Sequence, residues 1–337
     1  GSVIGRGRGA LMSDSSEVIG ADISQREIVL AWSQAKRPCL KITNTRKAIS
    51  RWLKQLPARC VIGMEATGRL HQLLADLAVE HGNTVYVVNP KQLAAYARSV
   101  GQRGKTDPMD AAVIARYVTR EHDGLHPYRT PSALQRTVRD LLSQRAALVR
   151  HASALKQSIR ATATASNSAL KRAHQATLTS MNTLLGEINK ELKRTIAAND
   201  ALEIKRKQLQ SITGIGLINS VALTHRFDRT PFANSDAVVA AWGLDPRPRD
   251  SGNRMGKRRL TKQGNAEDRR LIYLAAQSAS KTKLFKPIYR SLLARGLSTT
   301  EAIVILARKL LRIAFAIWTH GEAFNPDKVG KIACQKP

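Results

Sequence analysis

The chain has 337 residues, of which 55 are Lys or Arg and 25 are Asp or Glu, so its formal net charge is +30. Hydrophobic residues make up 43% of the chain, which is enough to build packed cores and excludes wholesale disorder. So large a positive excess predicts a polyanionic partner, nucleic acid first, whereas only 4% aromatic residues argue against recognition by long rows of stacked bases.

The first residues, the cysteines and one apolar stretch bear on processing and on the cellular compartment. An opening Gly-Ser without an initiator methionine suggests a cloning scar before Met12, so residues 1–12 are treated as a tag or leader. The three cysteines are far apart and lack metal-ligand spacing, which is typical of a reducing cytoplasm. Basic residues interrupt the apolar stretch 302–318, which therefore cannot span a bilayer cheaply.

Residues 13–125 predict an α/β domain. Apolar runs predict strands at 17–23, 27–32, 39–43, 60–64 and 84–88. Helical periodicity predicts helices from Thr45, over 70–80, and after Pro90 and Asp107. Three strands followed by alternating helices and strands give a mixed sheet of the RNase-H-like kind, although one sequence does not reveal the order of its strands.

Residues 126–210 predict long helices. Between 131 and 210 there is no internal proline and one glycine, Gly186, and a plausible bend lies at 161–169. Apolar residues recur at heptad-like spacing in two ladders. The ladders are Leu134, Val138, Leu141, Leu148, Leu155 and Ile159, and then Leu178, Met181, Leu185, Ile188, Leu192 and Leu202. They fit either a coiled-coil dimerisation arm or a bundle within one chain.

Residues 211–325 predict a mainly α-helical domain, and 326–337 a tail. The domain contains a dense basic segment at 245–270, with nine Lys or Arg and four Asp or Glu. Clustered cations of this kind are expected where a phosphate backbone binds.

Four acids of the first domain could hold a metal ion. Asp22 lies within the first predicted strand, Glu65 ends a later one, and Asp107 and Asp110 share one helix face at i and i+3. A carboxylate in an apolar strand needs compensation, and Mg²⁺ prefers such oxygen ligands. The alternatives are that Asp107 caps its helix, that Glu65 forms a salt bridge, and that Asp22 faces solvent on an edge strand.

A Gly-Ile-Gly turn at 214–216 has the form of a helix-hairpin-helix. Gly214 and Gly216 would let backbone N–H groups approach a phosphate at the next helix's N-terminus, whatever the base sequence. A tight turn packed in the core is the equally weighted alternative.

Ser251 lies in an Asp-Ser-Gly-Asn string that is also typical of an ordinary turn. Six basic neighbours could hold a phosphate and neutralise charge developing on it: Arg247, Arg249, Arg254, Lys257, Arg258 and Arg259. A serine hydroxyl needs activation, and the closest upstream histidine, His225, is not an evident base. Its activation would have to come from elsewhere in the fold or from another subunit.

Seven motifs in order resemble the IS110 family of insertion-sequence transposases, which includes the Piv and MooV DNA invertases. The motifs lie at 19–23, 64–68, 88–90, 105–110, 211–216, 243–246 and 251–252. The resemblance runs from about Val18 to Phe324. Two departures are Ala21, where isoleucine is commoner, and Thr213, where proline usually opens the turn.

The resemblance implies a fold, a site and partners. Asp22, Glu65, Asp107 and Asp110 would be the four acids of a RuvC-like DEDD domain that binds Mg²⁺, with Mn²⁺ as an alternative. Ser251 would form a phosphoserine link to DNA. Lys105, the two glycines of the hairpin and the basic segment would contact nucleic acid. Homodimers would pair into tetramers, in which the acids of one subunit and the serine of another form one site. A structured bridge RNA would guide the protein to its DNA. The location would be the bacterial cytoplasm, at the nucleoid.

Two other functions fit the same residues. In a RuvC-like junction nuclease, metal-activated water would cut DNA and Ser251 would be a turn residue. In a non-catalytic architectural DNA/RNA-binding protein, the acids would be caps and salt-bridge partners. The resemblance favours a recombinase that cuts and rejoins DNA.

Overall fold

A computed structural model describes residues 17–34, 37–57, 59–101, 106–161, 168–247 and 259–332. The chain divides into two compact units, residues 1–130 (unit 1) and 131–337 (unit 2). Among the residues described, no helix combines the length and the apolar character needed to cross a lipid bilayer.

Unit 1 is a five-stranded sheet with helices. Its elements are β1 Val18–Ile23, β2 Glu27–Trp32, β3 Leu40–Thr43, α1 Arg46–Leu53, β4 Val61–Glu65, α2 Leu70–Glu80, β5 Thr84–Val88, α3 Pro90–Ser99 and α4 Asp107–Glu121. The predicted strands and helices of this region are thereby confirmed, with strand ends that differ by at most one residue. Thr45 caps α1, because its side chain accepts a hydrogen bond from the N–H of Ala48.

The sheet has the order β3-β2-β1-β4-β5, so β1 is its central strand. It pairs antiparallel with β2 and parallel with β4, and β4 pairs parallel with β5. One sheet face packs on α1 and α2 through residues such as Ile19 and Ile62, and the other packs on α4 through Val18 and Val61. Burial on both faces explains the nearly continuous apolar runs of these strands.

Unit 2 is helical apart from a two-stranded ribbon. Its elements are α5 Ala133–Ala161, α6 Ser168–Ala197, α7 Asp200–Gln210, α8 Leu217–Arg229, α9 Ser235–Ala241, β6 Pro246–Arg247, β7 Arg259–Leu260, α10 Ala266–Ala279, α11 Lys286–Ala294, α12 Thr299–His320 and α13 Asp327–Ile332. The α13 helix lies in the segment predicted as a tail. Val329 on it is 2% exposed and belongs to the unit 2 core, so that part of the segment is packed.

The two longest helices, α5 and α6, form an antiparallel hairpin. The Arg145 Nε donates to Asn189 Oδ1 across it at 2.9 Å. Val138 of α5 shares a buried cluster with Ile188 and Leu192 of α6 and with Val221 of α8. The apolar ladders therefore pack within the chain near the base of the hairpin, as in the bundle interpretation. The predicted bend overlaps residues 162–167, which lie outside the described residues.

Helix α12 forms the centre of the unit 2 core. Its N-terminus carries a capping box, in which the Ser298 side chain and the N3 residue Glu301 each bond the other's backbone N–H. Its C-terminus ends at Gly321, whose φ of 70° is the left-handed conformation that glycine adopts most easily. Nine of its residues are buried, because α12 packs against its neighbours on several sides.

Candidate active site

Two of the predicted acids lie at the same edge of the sheet, on its two central strands. Asp22 is the penultimate residue of β1, and Glu65 is the last residue of β4. The parallel register pairs Ala21 with Met64, which brings the next residues, Asp22 and Glu65, side by side. Both acids are half-buried.

Two glycines let α4 lie directly on this part of the sheet. A Cβ at Gly20 would lie 2.5 Å from the backbone N of Ala115, and one at Gly63 would lie 2.6 Å from a Val118 methyl. Residues two apart on a strand share a face, so Asp22 lies on the same face as Gly20, and Glu65 on the same face as Gly63. The two acids are therefore on the face that α4 covers.

The first turn of α4 supplies the other two acids. Asp107 and Asp110 lie in that turn, and Asp110 directly precedes Ala111, which packs over Gly20. The pKa of Asp22 is raised first by burial and then by the charges of Asp107, Asp110 and Glu65. The fold thus brings the four acids, separated by up to 88 positions in the chain, into one electrostatic neighbourhood.

Two of the structural alternatives for these acids are wrong. The N-cap of α4 is Thr106, with extended backbone, and Asp107 is the first helical residue rather than the cap. Strand β1 is central, so Asp22 does not lie on an edge strand. Asp107 and Asp110 both lie at the positive end of the α4 dipole, which is compatible with a structural and a functional role.

The donor set of this acidic cluster (Asp22, Glu65, Asp107 and Asp110) suits a hard divalent cation. All four side chains offer carboxylate oxygens, the ligands that Mg²⁺ and Mn²⁺ accept. Burial and repulsion raise the pKa of Asp22, and a cation would relieve both effects. In the described parts of the chain, no three His, Cys, Asp or Glu side chains already converge at metal-binding distances. The chemistry of the residues fits a metal, and the final approach of the carboxylates would accompany its binding.

In unit 2, the Gly-Ile-Gly turn joins α7 to α8, and its two glycines have different surroundings. Gly214 has a φ of 96°, and a Cβ there would lie 2.7 Å from the Ala275 carbonyl oxygen. Gly216 is the N-cap of α8, is exposed, and would have no atom within 4 Å of an added Cβ. Gly214 thus meets a packing requirement, as in the tight-turn interpretation, whereas Gly216 leaves the helix N-terminus open to a ligand.

The ribbon β6–β7 brackets the predicted serine. Arg247 pairs with Arg259 in the ribbon, and Arg259 is exposed. The segment 248–258 between them lies outside the described residues, as does 102–105 in unit 1. The predicted site residues that fall there are Lys105, Arg249, Ser251, Arg254, Lys257 and Arg258.

The base of the ribbon is held firmly by its neighbours. The Thr261 hydroxyl donates to the Asp245 carboxylate, and the Thr261 N–H donates to the Asp245 carbonyl at 3.1 Å. Gly243 has a φ of 65°, and a Cβ there would lie 2.6 Å from the backbone N of Gln263. The two ends of the segment that contains Ser251 are therefore adjacent and anchored to the core.

His225 is not suited to act as a base that titrates near neutral pH. It lies on α8, and burial together with the charges of Arg226 and Arg229 lowers its pKa to about 4. Its imidazole is therefore neutral at pH 7. This environment agrees with the interpretation from the sequence that His225 is not an evident base for Ser251.

Unit 2 also contains an aromatic cluster that the sequence motifs do not indicate. Phe227 contacts four other rings, with centroid distances of 5.6 to 6.1 Å. These rings belong to Phe232, Trp242, Phe315 and Trp318. The signal was the concentration of five of the 15 aromatic residues in two short stretches, 227–242 and 315–318.

Comparison with known proteins identifies similar sequences over most of the chain. Residues 19–167 match a transposase family model, the DEDD type of IS110 elements, and residues 206–290 match a model described as the transposase IS116/IS110/IS902 family. The pilin gene-inverting protein of Moraxella lacunata is 26% identical over 269 residues, covering 78% of this chain and 81% of its own length. A putative transposase of Sinorhizobium fredii is 24% identical, covering 91% of this chain and 85% of its own.

Proposed function

The chain belongs to the IS110 family of transposases, enzymes that cleave and rejoin DNA, and we propose that it does so with the acidic cluster of unit 1 and Ser251 of unit 2. The observation that carries the proposal is geometric: Asp22 and Glu65 lie side by side on adjacent strands, on the face that α4 covers, and the first turn of α4 carries Asp107 and Asp110. Burial, and then the charges of the other three acids, raise the pKa of Asp22. Acids this far apart in the sequence have no reason to crowd together in a protein that only binds nucleic acid. Their crowding costs stability and is expected where a cation is bound.

Asp22, Glu65, Asp107 and Asp110 would hold the metal ion, Mg²⁺ by preference and Mn²⁺ as the alternative. When bound, the ion would polarise the scissile phosphate and offset the negative charge that develops on it. Asp22 and Glu65 are fixed on central strands, and the acid pair on α4 is fixed by the packing of that helix on Gly20 and Gly63. The protein's own contribution is thus a set of four oxygen-donor side chains whose backbone positions are fixed, and whose carboxylates would close on the ion when it binds.

Ser251 would act as the nucleophile. Its Oγ forms a bond to phosphorus, the bond from phosphorus to one sugar oxygen breaks, and the hydroxyl proton passes to solvent or to a base while the leaving oxygen takes up a proton. The product is a phosphoserine ester. A hydroxyl of another DNA end then attacks this ester and releases Ser251. One phosphodiester is replaced by one ester at each stage, so rejoining needs no added energy source.

Basic residues around the ribbon would position the DNA. Arg247 and Arg259 lie opposite each other at the start and end of the segment, and four more arginines and lysines lie within it. Guanidinium groups bind phosphate oxygens in pairs and would neutralise charge on the scissile group. The open N-terminus of α8 at Gly216 would add a backbone contact to phosphate that carries no base preference.

The family resemblance extends the proposal to a guide RNA and to an oligomer. A structured bridge RNA would be a second polyanion for a chain of net charge +30. A second copy would pack on the α5–α6 hairpin, on which Leu184 is 51% exposed. We propose a dimer that pairs into a tetramer, with Ser251 of one subunit serving the acids of another.

A trapping assay tests the proposal. The protein, Mg²⁺, co-purifying RNA and element-end DNA are mixed and denatured, and a covalent protein–DNA adduct is mapped by mass spectrometry. The wild type should give an adduct on Ser251, and Ser251→Ala should give none. Cleaved DNA without an adduct would instead favour the RuvC-like nuclease, in which water is the nucleophile.

Asp22→Asn tests the acidic cluster in the same assay. It should abolish Mg²⁺-dependent cleavage and leave the salt-sensitive DNA affinity unchanged or higher, because a negative charge is lost. Glu80→Gln is the matched control, since Glu80 is an exposed acid at the end of α2 outside the cluster, and it should retain full cleavage. Cleavage by Asp22→Asn at the wild-type rate would refute the metal-site assignment.

A further inference from the structure

We propose that a pocket between α7, α8 and α12 of unit 2 binds one unstacked nucleobase of a DNA or RNA strand. The pocket has a volume of about 390 Å³. That is within the range of small-ligand sites and large enough for a base with part of its sugar. All the described residues that line it belong to unit 2.

Four of the nine described residues that line the pocket are aromatic. Phe227 is 4% exposed and lies between the half-buried rings of Phe232, Phe315 and Trp318, at centroid distances of 6.0, 6.1 and 5.6 Å. Only Trp242 of this aromatic cluster is absent from the lining. Rings held in place by packing offer a base fixed π surfaces at little entropic cost. Every base has a π face, so such a pocket tolerates any sequence.

The charge at the pocket selects a nucleic acid over other occupants. The Lys205 ammonium lies 4.1 Å from the centroid of the Trp318 ring. Among the described residues that line the pocket, Lys205 carries the charge and there is no Asp or Glu. A cationic ligand would be repelled here, and an apolar side chain of a protein partner would bury the ammonium without an acceptor. A nucleotide supplies a base that stacks on the rings and a phosphate that pairs with Lys205.

The placement of the aromatic residues supports the same occupant. The chain is poor in aromatic residues, which argues against a row of stacked bases, yet it concentrates five of 15 in this one cluster. A single base bound outside the helical stack fits one such cluster. Cleaving and rejoining DNA separates strands from their partners, and bases at such points are the least costly to unstack. The pocket would hold a displaced strand or an RNA loop by one base.

The test measures binding of short single-stranded oligothymidylate, without metal, against the same strand carrying abasic sites. Trp318→Leu keeps an apolar side chain in the wall but removes the large π face. It should lower affinity for the thymidine strand by about 5- to 150-fold, the loss expected for one stacked base, and leave affinity for the abasic strand unchanged. Because a folding defect would lower both affinities, the difference between the two strands reports on the base alone. Equal losses for both strands, or no loss, would overturn the proposal.

Lys205→Gln tests the charge, and Lys207→Gln is its matched control on the same helix. Lys207 is exposed and lies 3.8 Å from Glu203, outside the pocket lining. Removing one phosphate contact should lower the slope of log affinity against log salt by about 0.7 for Lys205→Gln, with no such change for the control. Equal slopes for the two variants would contradict the assignment of Lys205.

Two further arms identify the strand and exclude a protein occupant. Oligouridylate is compared with oligothymidylate, each against its own abasic strand. The strand that loses more affinity with Trp318→Leu is the source of the base, equal losses show that the pocket accepts both, and no loss with either overturns the proposal. Sedimentation of the wild type and of Trp318→Leu is measured without nucleic acid. A change in self-association without a change in oligonucleotide binding would show that a second copy fills the pocket, and would overturn the proposal. An adduct on Ser251 tests the catalytic proposal, and a loss of affinity confined to the base-bearing strand tests the pocket, so either proposal can fail without the other.

Discussion

Replacing Gly20 with alanine tests whether the contact between α4 and the sheet positions the acids. The added Cβ would lie 2.5 Å from the backbone N of Ala115 and closer still to the carbonyl oxygen of Ala111. Ordinary contact begins near 3.4 Å, so α4 would have to move away by at least the difference, 0.9 Å. Backbone atoms cannot rotate aside as a side chain can, and the whole helix end must shift.

The shift has two expected consequences. Overpacking at a buried site costs about 1–3 kcal/mol of the free energy of unfolding. Asp107 and Asp110 move with the helix end, and a displacement near 1 Å in a reacting array lowers the rate about 100-fold. Urea denaturation measures the first effect, and Mg²⁺-dependent DNA cleavage by the remaining folded protein measures the second.

Gly186→Ala is the control for Gly20→Ala. Gly186 lies inside α6, where an added Cβ would have no atom within 4 Å, so alanine should stabilise the helix by up to about 1 kcal/mol and leave cleavage intact. A Gly20→Ala protein with wild-type stability and wild-type cleavage would refute the reasoning, because it would show that α4 need not touch β1 to assemble the acids.

Three further changes probe single groups. Without metal, Asp22→Asn should be more stable than wild type at pH 7, because the raised pKa means that ionised Asp22 destabilises the folded protein. The difference in the free energy of unfolding, measured by urea denaturation, should shrink as the pH falls through that raised pKa. It should vanish below the pKa of Asp22 in the unfolded chain, near 3.8. Burial lowers the pKa of His225 from 6.5 to about 4. As the pH falls from 6.5 to 4, the unfolded chain takes up a proton that the folded protein does not, so the free energy of unfolding of the wild type should fall by up to about 1.4 kcal/mol per pH unit. His225→Gln should reduce that slope. A flat wild-type profile over this range would contradict the buried neutral imidazole. Gly214→Ala should cost about 1–3 kcal/mol, because of its positive φ and the Ala275 carbonyl, as measured by thermal unfolding. Gly216→Ala should cost at most about 1 kcal/mol, because alanine is a poorer N-cap than glycine, and it should weaken DNA binding; unchanged binding would remove this turn from the DNA surface.

Local sequence patterns predicted the elements of unit 1 well. The alternation of apolar runs and turn residues placed β1 to β5, and helical periodicity placed α1 to α4 between and after them. These patterns are informative because each strand or helix must bury one or two faces, so apolar residues recur in the sequence with the period of that element. The same reasoning placed long helices in the region of α5 to α7.

Local patterns misplaced the features that depend on neighbours. Asp107 followed by proline has the pattern of an N-cap, but Thr106 takes that position because the helix begins one residue earlier. The apolar ladders of α5 and α6 fit a partner helix from either the same or another chain, since periodicity reports an apolar face and not what covers it. In the structure α5 and α6 cover each other near the base of the hairpin.

The sequence by itself determined the α/β class of residues 13–125 and the helical class of the regions that follow, the positive charge that indicates a nucleic-acid partner, and the four acids as candidates. These are properties of residue types and short spacings. Only the tertiary structure decided that β1 is central, that α4 lies on Gly20, and that Asp22 shares its surroundings with Glu65, Asp107 and Asp110. The aromatic cluster beside Lys205 emerged in the same way. The physical reason is that close packing joins residues far apart in the chain, and the charge and π surfaces that do chemistry arise only where those residues meet.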